Sequence, residues 1–175
     1  MFSALSLLLV LAACGDDDTP SGDLPAAKAS MQLTSSAFAD GATIPKQFTC
    51  SGNEISPPLQ IRDLPENTDE LALIVDDPDA DSYVHWSVIG IEPETSAFKT
   101  GSVPAGAVQT QNSSGKAEYA GPCPPKGDDP HRYVFTIYSL DDTLALGADA
   151  SPDDVRGAID GHALAKGVLT GKFGR

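Results

Sequence analysis

The stretch GPCPPKGDDPHRY, residues 121–133, runs directly into the segment YVFTIYSL, residues 133–140. The first is rich in proline and glycine and predicts a loop, and the second is rich in β-branched and aromatic residues and predicts a strand. Because proline fixes φ and lacks an N–H, the loop is stiff and offers few backbone donors, chiefly those of Cys123, Lys126 and Gly127. Such a loop can hold a small pocket open.

The side chains at the exit of this loop alternate in direction. His131 and Tyr133 project on one face of a strand and Arg132 on the other, because successive side chains point to opposite faces. His131 and Tyr133 are therefore candidates for lining a pocket. Taken alone, the stretch leaves open the alternative of a surface loop followed by an ordinary core strand.

The N-terminal residues have the pattern of a bacterial export signal. Residues 5–13 are apolar but too few to span a bilayer, and Leu11-Ala12-Ala13-Cys14-Gly15 is typical of a lipobox. We predict that residues 1–13 are a signal peptide and that Cys14 is lipidated after cleavage. Residues 1–3 carry no Lys or Arg, which leaves an upstream start codon open, and a buried apolar helix is the alternative.

A polar segment follows the lipidation site. Residues 15–25 are rich in Asp, Pro and Gly and cannot bury a core. We predict a disordered tether over residues 14–30. The remaining residues, 31–175, have the usual size of one domain with one core.

The charge of the chain limits its partners. The formal net charge is −14, and residues 31–175 retain 21 acidic against 10 basic residues. This balance argues against nucleic acid and against adhesion of the domain itself to anionic lipid. Any anion must be held by local donors.

Two cysteines remain once Cys14 is lipidated. Cys50 and Cys123 could form a disulfide in an exported protein, but the sequence leaves their distance, and so the pairing, open. No C-x-x-C motif or His/Cys spacing indicates a zinc site, and nothing in the sequence requires a cofactor.

Apolar runs predict a mostly-β fold. The most distinct strands are Leu71–Val75, Val84–Ile91 and residues 133–140, and Leu71–Val75 is continuous enough to be buried on both faces. Short strands joined by long irregular connections indicate a β-sandwich or an open barrel.

Weaker signals complete the secondary structure. Met31–Phe38 predicts a strand, Ala117–Tyr119 an edge strand, and Leu164–Phe173 a short final strand, with a helix as its alternative. Ser151 is a good N-cap followed by proline and two acids, which predicts a helix through Ile159.

The acidic turn Asp77-Pro78-Asp79-Ala80-Asp81 begins like an EF-hand calcium loop. The pattern fails at its sixth position, Ser82, and at its twelfth, Val88. We therefore predict no metal site, and Asp81 is expected to be solvated.

His85 begins a strand directly after this turn. A hairpin-like return would bring it beside Asp77 and Asp79, where a carboxylate is expected to raise the pKa of the imidazole. The resulting cation could bind phosphate through a charge-assisted hydrogen bond.

Five motifs in order closely resemble the bacterial branch of the phosphatidylethanolamine-binding protein (PEBP) family. They are Ser56-Pro57-Pro58-Leu59, Asp76-Asp77-Pro78-Asp79-Ala80, Val84-His85-Trp86, Gly121-Pro122-Cys123-Pro124-Pro125 and His131-Arg132-Tyr133. The resemblance covers residues 31–175 and implies a β-sandwich with a large central sheet, a smaller sheet and a few peripheral helices. It also implies a small, preformed anion pocket at one end.

The resemblance also implies which residues line this pocket. They are Asp77, Asp79, His85, Cys123, Pro125, His131 and Tyr133. In this interpretation the Cys123 backbone N–H meets the anion, Pro125 forms an apolar wall and Tyr133 lines the mouth.

The resemblance further suggests a cis peptide at Asp77-Pro78. Asp81 stands where relatives often carry proline, so the tip of that turn is expected to be looser here. His162 is expected outside the pocket, packed near the final elements.

We predict a non-enzymatic protein that binds a small phosphate-containing ligand or a phospholipid head group, with no cofactor and no nucleic acid partner. It is expected in the bacterial envelope, anchored to a membrane through the lipid at Cys14, on the periplasmic or surface side. The alternatives are an envelope interaction module that inhibits a kinase or protease and, third, a His/Asp acid–base hydrolase. No nucleophile stands in a recognisable activation motif, which disfavours the hydrolase.

Overall fold

A computed structural model describes residues 24–175 of the chain. The predicted signal peptide, the lipidation site Cys14 and the tether up to residue 23 lie outside the described residues. Among residues 24–175, no helix is both long and apolar enough to cross a membrane.

Strands dominate the described chain, as expected. In chain order the elements are β1 Ala29–Ser30, β2 Gln32–Thr34, a 3₁₀ turn Lys46–Phe48, β3 Leu59–Arg62, β4 Glu70–Asp77, β5 Tyr83–Ile91, β6 Ala97–Phe98, β7 Val108–Gln109, β8 His131–Leu140, α1 Pro152–Ile159 and β9 Ala163–Phe173.

Two sheets form a sandwich. The large sheet has the order β1-β9-β8-β4-β5-β7 and the small sheet has the order β2-β3-β6. β4 is buried along its whole length because it pairs on both sides, with β5 and β8, and both of its faces are covered. The expected sandwich of a large central sheet and a smaller one is confirmed.

Each face of the large sheet has its own apolar cluster. The face turned to the small sheet buries Leu73, Val75, Trp86 and Phe135. The opposite face buries Ile74 and Tyr138 beneath α1, together with Val155 and Ile159 of that helix. Alternate residues of β4 thus pack into two separate apolar cores, which explains why its sequence is a continuous apolar run.

Both outer strands of the large sheet are two residues long, and irregular chain covers the edges beyond them. Next to β1, residues 41–44 bond to Thr170 and Lys172 of β9. Next to β7, the backbone N–H groups of Ser113 and Ala120 donate to Val84 and His85 of β5.

Of the secondary-structure elements predicted from weaker signals, two are confirmed and two are not. The helix is confirmed, and Ser151 forms a capping box with Asp154. The final strand is confirmed and reaches eleven residues, because it pairs with β8 along its length. The strand expected over Met31–Phe38 is only Gln32–Thr34, and the edge strand expected near Ala117–Tyr119 is absent from the described sheets, where Val108–Gln109 forms the edge instead.

The domain begins earlier than expected. Leu24 is half-buried against the apolar cluster beneath α1, and Ala29–Ser30 pair in parallel with Ala165–Lys166. Residues 24–30 were predicted to belong to the tether. They pack on the domain because Leu24 and Ala27 partly bury apolar side chains, which a purely polar tether would lack.

A β-bulge interrupts the pairing of β4 with β5 close to the acidic turn. Val75 pairs with Trp86 and Asp76 with Val84, so His85 is the extra residue. A bulge redirects the side chain of its extra residue. Because of this bulge, the side chains of both His85 and Trp86 lie on the face of the large sheet that packs against the small sheet.

Asp76 lies on the opposite face of β4 from its neighbour Asp77. It is 4% exposed, and its Oδ1 has no hydrogen-bond partner in the described chain. Burial raises the pKa of this carboxyl to about 6, although the nearby Arg156 opposes the shift. The ionised form of Asp76 therefore costs stability.

The pH dependence of unfolding tests this conclusion. The proton that the folded state retains stabilises it below pH 4, and that stabilisation is lost as pH rises through about 6. We expect Asp76→Asn to gain roughly 3 kcal/mol in free energy of unfolding relative to wild type between pH 4 and pH 7. Urea unfolding at a series of pH values measures this, and a difference independent of pH would contradict it.

Candidate functional site

A small cleft opens where β4 ends and β5 and β8 begin, on the face turned to the small sheet. Its cavity volume is about 290 Å³, which suits a small polar group. The lining residues come from the acidic turn, the starts of β5 and β8, the proline-rich loop and one residue before β3: Glu54, Asp77, Ala80, Tyr83, His85, Ala120, Gly121, Cys123, Pro124, Pro125, His131 and Tyr133.

Asp77 is the buried carboxylate of the cleft, with a side chain 3% exposed. Its Oδ1 accepts the Asp79 backbone N–H at 2.9 Å, which closes an Asx turn. Its Oδ2 lies 2.8 Å from His131 Nδ1. This bond engages one ring nitrogen of His131 and leaves Nε2 for a ligand.

His85 is held from the other side. Its Nδ1 donates to the Ala120 carbonyl at 2.9 Å, and its Nε2 lies 4.0 Å from Asp77 Oδ2. Burial lowers the pKa of this imidazole, although the Ala120 carbonyl and the Asp77 charge act in the opposite direction. The expectation that a carboxylate raises the pKa is therefore wrong for His85, because desolvation outweighs the attraction.

Tyr133 closes the back of the cleft. Its side chain is fully buried, and its ring lies edge-on to His85 with centroids 5.1 Å apart. Its hydroxyl has no partner at hydrogen-bond distance and angle within residues 24–175, although the Asp77 carboxylate and the Cys123 backbone lie close enough to affect its pKa. Burial raises the pKa of the phenol well above its ordinary value, so the hydroxyl remains a proton donor. Tyr133 was expected at the mouth and lies deeper.

The proline-rich loop forms a fixed wall. Cys123 is joined to Cys50 by a disulfide, which resolves the pairing that the sequence left open. The Arg175 Nε donates to the Pro124 carbonyl at 2.7 Å, so the last residue also ties the loop down. Pro125 lines the cleft beside them, as expected.

Gly121 belongs to this wall for a steric reason. A Cβ at this position would lie 3.0 Å from the Phe48 carbonyl oxygen and the Thr49 backbone. Only glycine lets the loop approach so closely without displacing its neighbour.

Asp79 does not line the cleft. Its carboxylate pairs with the Arg132 guanidinium, with Oδ1 and Nη2 2.7 Å apart, and also accepts the Arg132 backbone N–H. Hydrogen bonds from Arg132 lower the pKa of Asp79 to about 2. Arg132 faces away from His131 and Tyr133 as predicted, and it draws Asp79 to the outer surface.

Two further expectations concern the acidic turn and His162. No cis peptide bond occurs in the described chain, so the expectation for Asp77-Pro78 is wrong, and the turn is closed instead by positive φ angles at Asp81 and Ser82. His162 lies outside the cleft, and its Nδ1 is 3.0 Å from Asp141 Oδ1.

The residues that line the cleft but were not predicted as site residues are Glu54, Ala80, Tyr83, Ala120, Gly121 and Pro124. Glu54 accepts the Gly121 N–H at 3.2 Å and stands in an irregular segment with φ of 54°, a conformation that no sequence pattern predicted. The spacing of Tyr83 and His85, two apart on a strand, was the available signal for Tyr83, whose ring packs on the imidazole with centroids 4.9 Å apart.

Metal ligation has no support in residues 24–175, which contain no group of three or more His, Cys, Asp or Glu side chains placed to hold an ion. The arrangement of the cleft instead offers a phenolic donor, two imidazoles and a buried carboxylate around a small space. Such groups can donate to an anion and accept from a hydroxyl or an ammonium group.

Comparison with known proteins assigns the chain to a family. The family model described as phosphatidylethanolamine-binding protein matches residues 34–174. The chain belongs to the PEBP family. The match includes every residue that lines the cleft.

Individual PEBP relatives agree with this assignment. LppC of Mycobacterium tuberculosis, which carries a lipoprotein name, is 38% identical over 98% of this chain and 93% of its own length. The structure of the PEBP homologue CT736 of Chlamydia trachomatis superposes with a TM-score of 0.78 at 39% identity, over 83% of this chain and 98% of that one. E. coli YbcL, described as a member of the mammalian PEBP family, gives 0.79 at 28% identity, over 84% and 99%.

The disulfide of this PEBP domain gives a stability prediction. It joins residues 73 apart in sequence, so its loss frees a long loop in the unfolded chain. We expect Cys50→Ser with Cys123→Ser to lower the free energy of unfolding by about 2–5 kcal/mol. Urea denaturation measures the change, with wild type under a thiol reductant as the matched comparison. Equal urea midpoints for the oxidised wild type and the variant would contradict the prediction.

Proposed function

We propose that this PEBP-family chain binds a small phosphate-bearing ligand in the cleft without turning it over. The observation that carries the proposal is the buried Tyr133 hydroxyl, which lines the cleft and has no partner among the described residues. Leaving such a donor unpaired costs about 1–3 kcal/mol. A ligand oxygen would remove that cost.

The imidazoles support the same ligand. Nδ1 of His131 is hydrogen-bonded to Asp77, and Nδ1 of His85 is hydrogen-bonded to the Ala120 carbonyl. Each ring therefore retains Nε2 for a ligand. A phosphate next to these rings would favour their protonated forms and gain charge-assisted hydrogen bonds. The acidic domain gives no general attraction for anions, so selectivity must come from these local donors.

The lining also supports binding without turnover. It contains no Ser, Thr or Lys, and the sulfur of Cys123 is held in the disulfide. The cleft therefore lacks a Ser, Thr, Lys or free Cys side chain that could act as a nucleophile in covalent catalysis.

We further propose that the protein acts in the bacterial envelope, anchored to a membrane by the lipid at Cys14. The lipobox supports this location, as does the similarity to LppC over almost the whole chain. Export would also provide the oxidising surroundings in which Cys50 and Cys123 can pair.

Replacing Tyr133 tests the proposed ligand role. Tyr133→Phe removes an unpaired buried hydroxyl and its desolvation cost, so we expect the melting temperature of the free protein to rise by a few degrees. Loss of one hydrogen bond to a charged group should weaken binding of inorganic phosphate by roughly 10- to 100-fold. Isothermal titration calorimetry with phosphate measures this.

Tyr138 offers a matched control. It is equally buried and its hydroxyl is also unpaired within the described residues, but it lies on the opposite face of the large sheet. Tyr138→Phe should leave phosphate affinity unchanged. Equal phosphate affinities in wild type and Tyr133→Phe would contradict the proposed role of the hydroxyl.

The lowered pKa of His85 predicts a pH effect on binding. The free protein holds His85 neutral at pH 7, and a bound phosphate charge favours the cation, so binding should take up a proton and strengthen as pH falls from 8 to 6. Calorimetry in two buffers of different protonation enthalpy counts the proton. The His85→Gln variant should take up fewer protons on binding than the wild type. Because both proteins bind the same phosphate, the protons that phosphate itself gains or loses cancel in this difference. Identical uptake in the two proteins would exclude His85 as the proton acceptor.

A further inference from the structure

The acidic turn between β4 and β5 is held by an arginine from the helix-covered side of the large sheet. Arg156 of α1 donates from Nη2 to the Ser82 carbonyl at 3.2 Å. The Arg156 side chain is only 14% exposed, whereas Asp153, whose carboxylate lies 3.6 Å from Nη1, projects into solvent. The bond to Ser82 therefore joins the face beneath α1 to the turn that borders the cleft.

The end of this turn has a backbone that needs support. Asp81 and Ser82 have φ angles of 51° and 55°, so two consecutive residues with side chains lie in the left-handed region. That conformation is disfavoured for residues other than glycine, and it persists only where surrounding groups fix it. Arg156 is such a group, because its guanidinium binds the carbonyl of the second of these two residues.

The turn carries residues that line the cleft. Ala80 and Tyr83 both border it, and Tyr83 follows Ser82 directly and begins β5. The Tyr83 ring packs on the His85 imidazole with centroids 4.9 Å apart. A shift of the Ser82 backbone would therefore move the Tyr83 ring against the imidazole.

Packing of α1 does not by itself account for this arginine. The helix is held to the sheet by the fully buried side chains of Val155 and Ile159. The Nε of Arg156 is buried without a hydrogen-bond partner in residues 24–175, which is a costly way to place a guanidinium. Costly local arrangements are expected where a side chain serves a functional site.

We propose that Arg156 is a positioning residue for the ligand cleft and acts from the opposite face of the large sheet through the Ser82 carbonyl. It contacts no ligand itself. It fixes the end of the acidic turn, so that the Tyr83 ring keeps the His85 imidazole oriented for a bound phosphate. This inference rests on the proposed function for the ligand, but the hold on the turn can be measured in the free protein.

Amide hydrogen exchange of the free protein measures that hold. Arg156→Met keeps an unbranched side chain and removes the donor. In wild type the Ala80 and Tyr83 amides donate to carbonyls within the turn, those of Asp77 and Ala80. In the variant we expect both amides to exchange roughly tenfold faster, beyond any change in the amides of the central strand β4.

Val155→Ala is the matched control on the same helix. It removes buried packing beneath α1 and lowers stability, but it keeps the Arg156 donor. The Ala80 and Tyr83 amides of this variant should follow the amides of β4. Local exchange in Arg156→Met that also merely follows β4 would overturn the proposal.

Phosphate affinity tests the positioning role. By calorimetry, we expect Arg156→Met to bind inorganic phosphate roughly 3- to 30-fold more weakly than wild type. Val155→Ala should stay within about twofold of wild type despite its lower melting temperature, because its cavity lies away from the cleft. Adding Asp153→Asn to Arg156→Met restores the wild-type net charge, so a loss that persists there excludes a long-range charge effect.

The outcomes separate the two hypotheses. A wild-type protein that binds no phosphate refutes the proposed function, and the exchange of Ala80 and Tyr83 then still decides whether Arg156 holds the turn. Unchanged phosphate affinity in Arg156→Met, or full recovery in the charge-matched double variant, would overturn the positioning role and leave the proposed function in place.

Discussion

The cleft depends on one buried carboxylate, Asp77. It ends β4, the strand with both faces covered, so its position is fixed by the most constrained element of the sheet. One of its oxygens shapes the acidic turn and the other orients His131, while His85 stands at 4.0 Å. A carboxylate in this setting is stable only if its oxygens are paired, which makes the turn and the histidine parts of a single arrangement.

Asp76 shows what happens when that condition is not met. It lies in the same strand, one residue before Asp77, but faces the other core, and one of its oxygens has no partner within the described chain. Its pKa rises to about 6 by burial, whereas the oxygens of Asp77 both receive hydrogen bonds. Two adjacent acids thus have different electrostatic environments because a strand alternates its faces. Asp77, whose two oxygens are both hydrogen-bonded, is the acid that lines the cleft.

The sequence predicted the parts of this structure that follow from periodicity and local chemistry. The run at Leu71–Val75, the alternation of His131, Arg132 and Tyr133, and the cap at Ser151 each depend on a repeating geometry that is visible in the residues themselves. The order of the motifs extended the prediction to the family and to half of the residues that line the cleft. Asp79 was misplaced because its partner, Arg132, lies 53 residues away, and no local pattern shows which acid an exposed arginine will choose.

Other features of the site depend on contacts that sequence order conceals. The bulge at His85 depends on how β4 and β5 align, and desolvation of its imidazole depends on the rings that pack around it. The Cys50–Cys123 bridge and the Glu54 contact with Gly121 join segments more than 60 residues apart. Leu24 was assigned to the tether because composition alone does not show that one apolar side chain finds a groove in the domain.

The covered borders of the large sheet matter wherever copies of the domain meet at high concentration. An open strand at the border would offer backbone donors and acceptors to the next copy and begin a ribbon of joined sheets. The two-residue strands and the irregular chain beside them occupy such groups on β9 and β5, so only short stretches of backbone stay open at these borders.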